Sequence, residues 1–194
     1  MGKKIAILQG HPDPDARRFV RALADRYRTA AIQAGHEVSV IDVAGLDFPI
    51  LRSQADWKSG VLPQSLRHAQ QDLFSADHLV VLFPLWLGTM PALLKAFFEQ
   101  ILRIDGPLND ANSEQLYAKP LAKKSVRIVV TMGMPAMVFR WFFQAHGVKC
   151  LERNILAFCG AGPIRRSLIG SIEADPRSRR RWLEKVSELG RAGR

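Results

Sequence analysis

Residues 78–102 have the sequence HLVVLFPLWLGTMPALLKAFFEQIL, and this stretch predicts a strand, a loop and a helix in immediate succession. The apolar run that starts at His78 lacks the polar–apolar alternation of a half-exposed strand, which is typical of a strand buried on both faces of a parallel sheet. Pro84 ends this strand, and Pro91 stands at a favoured first-turn position of a helix that continues to Leu102. A strand followed at once by a helix is the repeating unit of an α/β fold.

The same unit recurs on both sides of this stretch. Further strands are predicted over Lys4 to Leu8, Glu37 to Asp42, Lys123 to Thr131 and Arg165 to Gly170, and further helices over Arg17 to Ala34, Pro63 to Ala76, Met137 to His146 and Pro176 to Gly190. The segment from Cys150 to Phe158 fits a helix or a strand, and Asp105 to Lys119 is predicted to be an exposed loop. Strands separated by helices indicate βαβ units and a parallel sheet, so the fold class is α/β.

Length and charge limit the classes of protein that remain. The 194 residues fit one domain that spans residues 1–194. Lys and Arg number 28 against 18 Asp and Glu, and the formal charge of +10 favours an anionic partner of some kind. The sequence shows no apolar run near the roughly 20 residues that a membrane span needs, and no apolar segment of a signal peptide. We therefore expect a cytoplasmic protein without a transmembrane segment.

Three loops are predicted at the carboxyl ends of the first, third and fourth strands, over residues 10–19, 84–91 and 131–135. In an open parallel sheet, ligands bind at this edge, near the point where the strand order reverses. The first loop presents His11, Arg17 and Arg18 before a helix N-terminus, where free N–H groups and the helix dipole favour an anion. The sequence predicts that the two arginines hold a phosphate, with a solvated pair of arginines as the alternative.

The second and third loops offer an aromatic side chain and exposed backbone. Trp86 stands in the second loop, and because loops at strand ends carry function, a ligand-facing position is favoured over a plain core position. In the third loop, Thr131 and the main chain of Met132 and Gly133 lie at the same edge. Together the loops suit a flat heteroaromatic cofactor with a phosphate tail. Neither G-x-x-x-x-G-K-S/T nor a G-x-G-x-x-G after the first strand is present, which disfavours a P-loop nucleotidase and a dinucleotide-binding dehydrogenase.

The three loops resemble those of the NAD(P)H:quinone oxidoreductase-like flavodoxin-fold proteins. The matching segments are residues 10–12 (GHP), 83–95 (FPLWLGTMPALLK) and 131–135 (TMGMP). The second, with its spacing Pro-x-x-x-Gly-x-x-Pro-x-x-x-Lys, is the most specific. This group includes mammalian quinone reductase, the bacterial modulator of drug activity B and the ancillary flavoproteins of potassium-efflux systems.

The resemblance implies a flavodoxin-like three-layer sandwich, with a five-stranded parallel sheet in the order 2-1-3-4-5 and helices on both faces. It also implies a bound flavin, FMN or FAD, which NAD(P)H reduces and a quinone reoxidises in a ping-pong cycle, and commonly a homodimer. The resemblance places the flavin against His11, Arg17, Arg18, Phe19, Pro84, Leu85, Trp86, Leu87, Thr131, Met132 and Gly133.

Two departures from the family pattern concern the phosphate and the catalytic residues. The family has a Ser or Thr facing the phosphate where this chain has Arg17 and Arg18. The family also carries a Tyr and, a few residues later, a His that settle charge during hydride transfer. Here Phe139 occupies the Tyr position and His146 lies one residue from the expected spacing. His146 is the predicted catalytic residue, with Arg140 or a water molecule as alternatives. No metal site is expected.

Two other functions remain open at this stage. A redox-sensing flavoprotein subunit, docked on an acidic partner such as an efflux system, would keep the flavin and lack the quinone reductase activity. A basic nucleic-acid-binding protein would use the arginines crowded near the C-terminus, although Glu184 and Glu188 interrupt that segment and it contains no recognised nucleic-acid motif. No nucleic-acid partner is therefore expected.

Overall fold

The computed structural model describes residues 2–59, 61–103, 119–174 and 176–194; the predicted loop from Asp105 to Lys119 lies, apart from Lys119, outside them. Five parallel strands form one sheet in the order β2-β1-β3-β4-β5. They are β1 Lys4–Gln9, β2 Glu37–Asp42, β3 His78–Pro84, β4 Ser125–Thr131 and β5 Ile164–Ile169. The predicted α/β class and strand order are confirmed.

Helices cover both faces of the sheet, which confirms the predicted layers. They are α1 Phe19–Gln33, α2 Gln54–Ser59, α3 Gln64–Ser75, α4 Ala92–Leu102, α5 Ala136–Trp141, α6 His146–Cys150 and α7 Pro176–Arg191. One side of β1 and β3, represented by Ile7 and Val80, packs on α1 and α7. The opposite side, represented by Leu8 and Val81, packs on α3 and α4. Since both faces of β1 and β3 are buried, these strands need apolar residues at successive positions, which explains their hydrophobic runs.

The register brings the ends of the strands to one edge of the sheet. Gln9 at the end of β1 pairs with Leu82, and Pro84 at the end of β3 pairs with Thr131 at the end of β4. The loops that follow β1, β3 and β4 therefore meet, as the sequence predicts.

The predicted helix from Met137 to His146 is wrong over its second half. Helix α5 ends at Trp141, because Gln144 and Ala145 adopt left-handed backbone conformations with φ of 54° and 49°. A new helix, α6, begins at His146 and continues as a π-helical segment over Leu151–Ala157. The segment from Cys150 to Phe158, for which the sequence allowed a helix or a strand, is thus helical.

Helix α2 was missed because only six residues form it, but the sequence does contain a signal for it. Ser53 Oγ accepts a hydrogen bond from Asp56 N (3.0 Å), and Asp56 Oδ2 accepts one from Ser53 N (2.9 Å). This reciprocal pair is a capping box of the type Ser-x-x-Asp, which marks the start of a helix.

A close crossing fixes α7 against α1. A Cβ atom at Gly190 would lie 2.4 Å from the carbonyl oxygen of Tyr27, so only glycine allows the two backbones to approach this far. The crossing places the N-terminal end of α7 beside the start of α1. There the Arg179 guanidinium carbon lies 4.8 Å from the ring centroid of Phe19.

Candidate ligand-binding cleft

A cleft of about 490 Å³ lies where the strand-end loops meet. It is lined by His11, Asp13, Arg17, Arg18, Phe19, Val20, Pro84, Leu85, Trp86, Thr131, Met132, Gly133, Ile172, Glu173 and Arg179. The lining includes every residue predicted to contact the cofactor except Leu87. Sequence reasoning missed its contributors from the β5–α7 connection and from α7.

The first loop is held by hydrogen bonds between neighbouring residues. Asp13 N donates to His11 Nδ1 (3.0 Å), Asp15 N donates to Asp13 Oδ1 (2.8 Å), and Arg17 N donates to Asp15 Oδ1 (3.0 Å). Side chains thus replace the backbone partners of a turn, which is the usual role of Asp in such loops. The loop is thereby shaped before any ligand arrives.

Both arginines of the first loop are paired with aspartates, which modifies the predicted phosphate clamp. Arg17 Nε and Nη2 donate to the carboxylate of Asp15 at 2.8–3.1 Å, and Arg18 Nε donates to Asp13 Oδ2 at 2.7 Å. Backbone hydrogen bonding and Arg18 lower the pKa of Asp13, and hydrogen bonds from Arg17 lower that of Asp15. Exposed ion pairs contribute little to stability, so an incoming anion could compete with the carboxylates.

The N-terminus of α1 offers the anion its more direct contacts. Arg18 is the N-cap residue and makes no side-chain capping hydrogen bond, and the first turn contains no acidic residue. Phe19 and Val20, at the first two helical positions, line the cleft. The N–H groups of a first turn have no partner within the helix and carry the positive end of its dipole, so this end of α1 suits a phosphate. Arg179 adds a cation beside it.

His11 is a neutral donor at the floor of the cleft. Its side chain is 8% exposed, and burial lowers its pKa from 6.5. Because Nδ1 accepts the hydrogen bond from Asp13 N, the neutral ring carries its proton on Nε2. The ring stands edge-on to Trp86, with centroids 5.9 Å apart and an angle of 81° between the planes.

The loop after β3 forms a tight turn that presents Trp86. Trp86 N donates to Thr89 O (2.9 Å) and Thr89 N donates to Trp86 O (3.0 Å). Between them Leu87 and Gly88 have φ of 47° and 80°, the positive values that a two-residue hairpin turn requires. Trp86 lines the cleft while 49% exposed, whereas Leu87 is fully exposed and lies outside the lining.

The loop after β4 leaves the backbone N–H of Gly133 available to a ligand in the cleft. Leu85 N donates to Thr131 O (2.8 Å), and Met132 N donates to Ile169 O (2.8 Å). The predicted backbone donor pair Met132–Gly133 is therefore reduced to Gly133, because the Met132 N–H is already occupied. Gly133 is exposed, and nothing lies within 4 Å of the position that a Cβ atom would take.

The predicted catalytic residue His146 is not brought into the cleft lining. It is exposed at the start of α6, and Phe139, which occupies the family's Tyr position, is buried in the core. Gly147, beside His146, packs directly on the turn that carries Trp86: a Cβ atom there would lie 2.1 Å from Gly88 O. His146 therefore lies next to a residue that contacts this turn, and outside the cleft lining.

Two absences concern the described part of the chain. Within residues 2–59, 61–103, 119–174 and 176–194, no three His, Cys, Asp or Glu side chains are grouped so that they could hold a metal ion. None of the helices in those same ranges is long and apolar enough to cross a membrane.

Comparison with protein families and solved structures is consistent with this architecture. A family model described as flavodoxin-like fold matches residues 3–189. An uncharacterized NAD(P)H oxidoreductase from Haemophilus influenzae is 24% identical over 191 residues, which cover 96% of this chain and 93% of that protein. NAD(P)H dehydrogenase (quinone) 1 from Rattus norvegicus is 28% identical over 141 residues, or 70% of this chain and 50% of that protein.

Two solved structures show the same fold at low sequence identity. An NAD(P)H:quinone oxidoreductase from Methanothermobacter marburgensis has a TM-score of 0.78 at 20% identity, covering 98% of this chain and 96% of that one. An FMN-dependent NADH-azoreductase from Bacillus anthracis, solved in complex with FMN, has a TM-score of 0.68 at 14% identity, covering 98% of both chains.

Proposed function

The chain belongs to the flavodoxin-like fold family, and from that premise we propose that it is a flavin-dependent NAD(P)H oxidoreductase that reduces quinones or similar small electrophilic acceptors. The observation that carries the proposal is the cleft at the carboxyl edge of the sheet. An uncapped helix N-terminus, an indole ring and a free backbone N–H surround this one cleft. The names of the relatives support the same chemistry.

The residues of the cleft fit a flavin. The first turn of α1 and the guanidinium of Arg179 provide an anion site for a phosphate tail. Trp86 provides a flat wall, and Gly133 leaves open space beside its N–H. A volume of about 490 Å³ is within the range of small-molecule sites. Arg17 and Arg18 would join the phosphate contact by exchanging their aspartate partners for it.

The protein's contribution to the reaction is binding, orientation and placement of charge. A bound flavin would supply the redox chemistry, by accepting hydride from NAD(P)H and passing electrons to the acceptor in a ping-pong cycle. The chain would hold the ring system against Trp86, and the Gly133 N–H would donate a hydrogen bond to an electron-rich atom of it. The neutral ring of His11 would donate a hydrogen bond from Nε2 to the ligand, so it would add no charge to the site. His146 and the cytoplasmic location stay predictions of the sequence.

The ligand that copurifies with the chain tests this function. We expect a yellow protein with the visible absorbance of an oxidised flavin, whose released ligand has the mass of FMN or FAD. NAD(P)H should bleach that absorbance without oxygen, and a quinone should restore it, each as a separate half-reaction. A colourless protein that neither binds nor is stabilised by FMN or FAD would overturn the proposal. A yellow protein that bleaches but reduces none of several quinones would favour the redox-sensing alternative.

A homodimer is the second part of the proposal, and an exposed apolar surface supports it. The segment between α5 and α6 exposes Phe142 (79%) and Phe143 (47%), and the tip of the Trp86 turn exposes Leu87. Helix α6, which follows this segment, packs on that turn. Exposed aromatic side chains that cluster, as Phe142 and Phe143 do with ring centroids 5.0 Å apart, mark an interface.

We expect sedimentation equilibrium at micromolar concentration to give twice the chain mass of 21.7 kDa. Replacing Phe142 and Phe143 with Asp should give the mass of one chain, because two buried carboxylates would lose their hydration. Ile50→Asp, at an exposed apolar residue outside this surface (59% exposed), should leave the dimer intact. A single-chain mass for the unaltered protein would contradict the dimer.

A further inference from the structure

A second groove, of about 610 Å³, lies between α7, α5 and the edge strand β5, and shares no lining residue with the cleft described above. Its wall combines two indole rings with four cationic side chains: Trp141, Trp182, Arg127, Arg140, Arg166 and Lys185. None of its lining residues in the described part of the chain is acidic. The groove is therefore both flat-walled and electropositive.

Arg127 is the most unusual of the four cations. It lies in β4, on the side of the sheet that α1 and α7 cover, and is only 8% exposed. Its Nε atom is fully buried and has no hydrogen-bond partner within the described structure. Burial, together with the neighbouring cation Arg165, lowers its pKa. A guanidinium stays charged in proteins, and a buried charge ordinarily has an anionic partner, which none of the described ion pairs gives to Arg127.

The other cations make the groove positive at its mouth. Arg166 is bonded to Glu152, with Nη1 3.1 Å from Oε2, so its charge is largely balanced. Arg140 lies over the ring of Trp141, 5.5 Å from the centroid, and Lys185 lies over that of Trp182 at 4.8 Å. Each of these two pairs therefore places a positive charge beside a flat indole ring in the lining of the groove.

We propose that this groove binds a planar organic anion, a ring that carries a carboxylate or phosphate, with the acidic group on Arg127 and the ring between the indoles. The planar guanidinium matches a carboxylate or phosphate with two parallel hydrogen bonds, which accounts for an arginine at the base. Indole faces stack on flat rings. Ser167, a buried hydroxyl on the same side of the sheet, offers an additional donor. The groove is separate from the flavin cleft, so the proposal stands without the proposed oxidoreductase function.

Benzoate and phenyl phosphate are suitable probes, read by the indole N–H signals of the four tryptophans in a ¹H–¹⁵N spectrum of the full-length chain. Titrations at constant ionic strength, with and without FMN, should shift the Trp141 and Trp182 signals saturably. The signals are assigned by Trp141→Phe and Trp182→Phe. The probe that binds more tightly identifies the acidic group. Benzamide, a neutral analogue of benzoate, should bind at least about tenfold more weakly, because it lacks the charge that Arg127 requires.

Arg127→Met should weaken probe binding at least about tenfold, while the matched Arg165→Met, at the exposed neighbour outside the groove, should change it less than about twofold. If Arg127→Met does not fold, Arg140→Ala combined with Lys185→Ala provides the second test and should weaken binding at least about threefold. Equal binding of benzamide, unchanged binding by the variants, or shifts confined to Trp57 and Trp86 would overturn the proposal.

Discussion

Gly147→Ala is expected to lower both flavin affinity and stability. A Cβ atom at residue 147 would lie 2.1 Å from Gly88 O and 2.8 Å from Thr89 Cα, and both are backbone atoms that cannot rotate away. Alanine favours a helix over glycine by about 1 kcal/mol. Overpacking against backbone costs about 1–3 kcal/mol, and here the contact is so close that the steric effect outweighs the helical preference. The turn that carries Trp86 must therefore move.

We expect the free energy of unfolding to fall by about 1–3 kcal/mol, and the dissociation constant for FMN to rise at least about tenfold. Urea unfolding and flavin fluorescence titration measure the two effects. Gly45→Ala is the matched control, because Gly45 is exposed in the 3₁₀ turn Val43–Gly45 and nothing lies within 4 Å of its added methyl group. If Gly147→Ala behaved like Gly45→Ala, the close contact between α6 and the turn would be refuted.

Trp86→Ala should raise the dissociation constant for the flavin by about ten- to hundredfold, and it should do so without a large loss of stability. Trp86 is 49% exposed, so the fold depends little on it, whereas a bound ring would cover the exposed face. Stacked aromatic pairs contribute about 0.5–1.5 kcal/mol beyond the area that they bury, and each 1.4 kcal/mol is a factor of about ten in affinity.

The chain offers a matched control for this substitution. Trp57, on α2, is also 49% exposed and lies outside the cleft lining, so Trp57→Ala should leave flavin affinity unchanged. Trp86→Phe should retain most of the affinity, since it keeps a flat face. Titration by flavin fluorescence measures all three variants. The same dissociation constant for Trp86→Ala and Trp57→Ala would remove Trp86 from the site.

The layers of the fold could be predicted from the sequence because a local pattern of residues identifies each strand. Short apolar runs bounded by Gly and Pro indicate buried parallel strands, and the structure places the fully buried strand β3 over His78–Pro84, where such a run predicts it. Element ends were less accurate where backbone conformation overrides apolar periodicity. The end of α5 is the clearest case, since the left-handed residues Gln144 and Ala145 follow a run of aromatic residues and stop the helix that was predicted to continue to His146.

Some features of the cleft could likewise be predicted from the sequence, and others could not. Its three strand-end loops were predictable, because parallel strands in register must bring their carboxyl ends to one edge. The aspartate partners of Arg17 and Arg18 could also have been predicted from the sequence, since they lie two and five residues away along the chain. That these aspartates engage both arginines beside the uncapped first turn of α1 needed the geometry.

Only the tertiary structure decided the role of the basic C-terminal segment. In the sequence it is a run of arginines whose spatial neighbours are undetermined, because nothing local decides which residues of α7 face which element. The close approach of Gly190 to Tyr27 sets the crossing of α7 on α1. That crossing places Arg179 in the cleft at the strand ends and Lys185 in the second groove. Local sequence therefore determined the strands and their loops, and packing of distant backbones determined which side chains those loops meet.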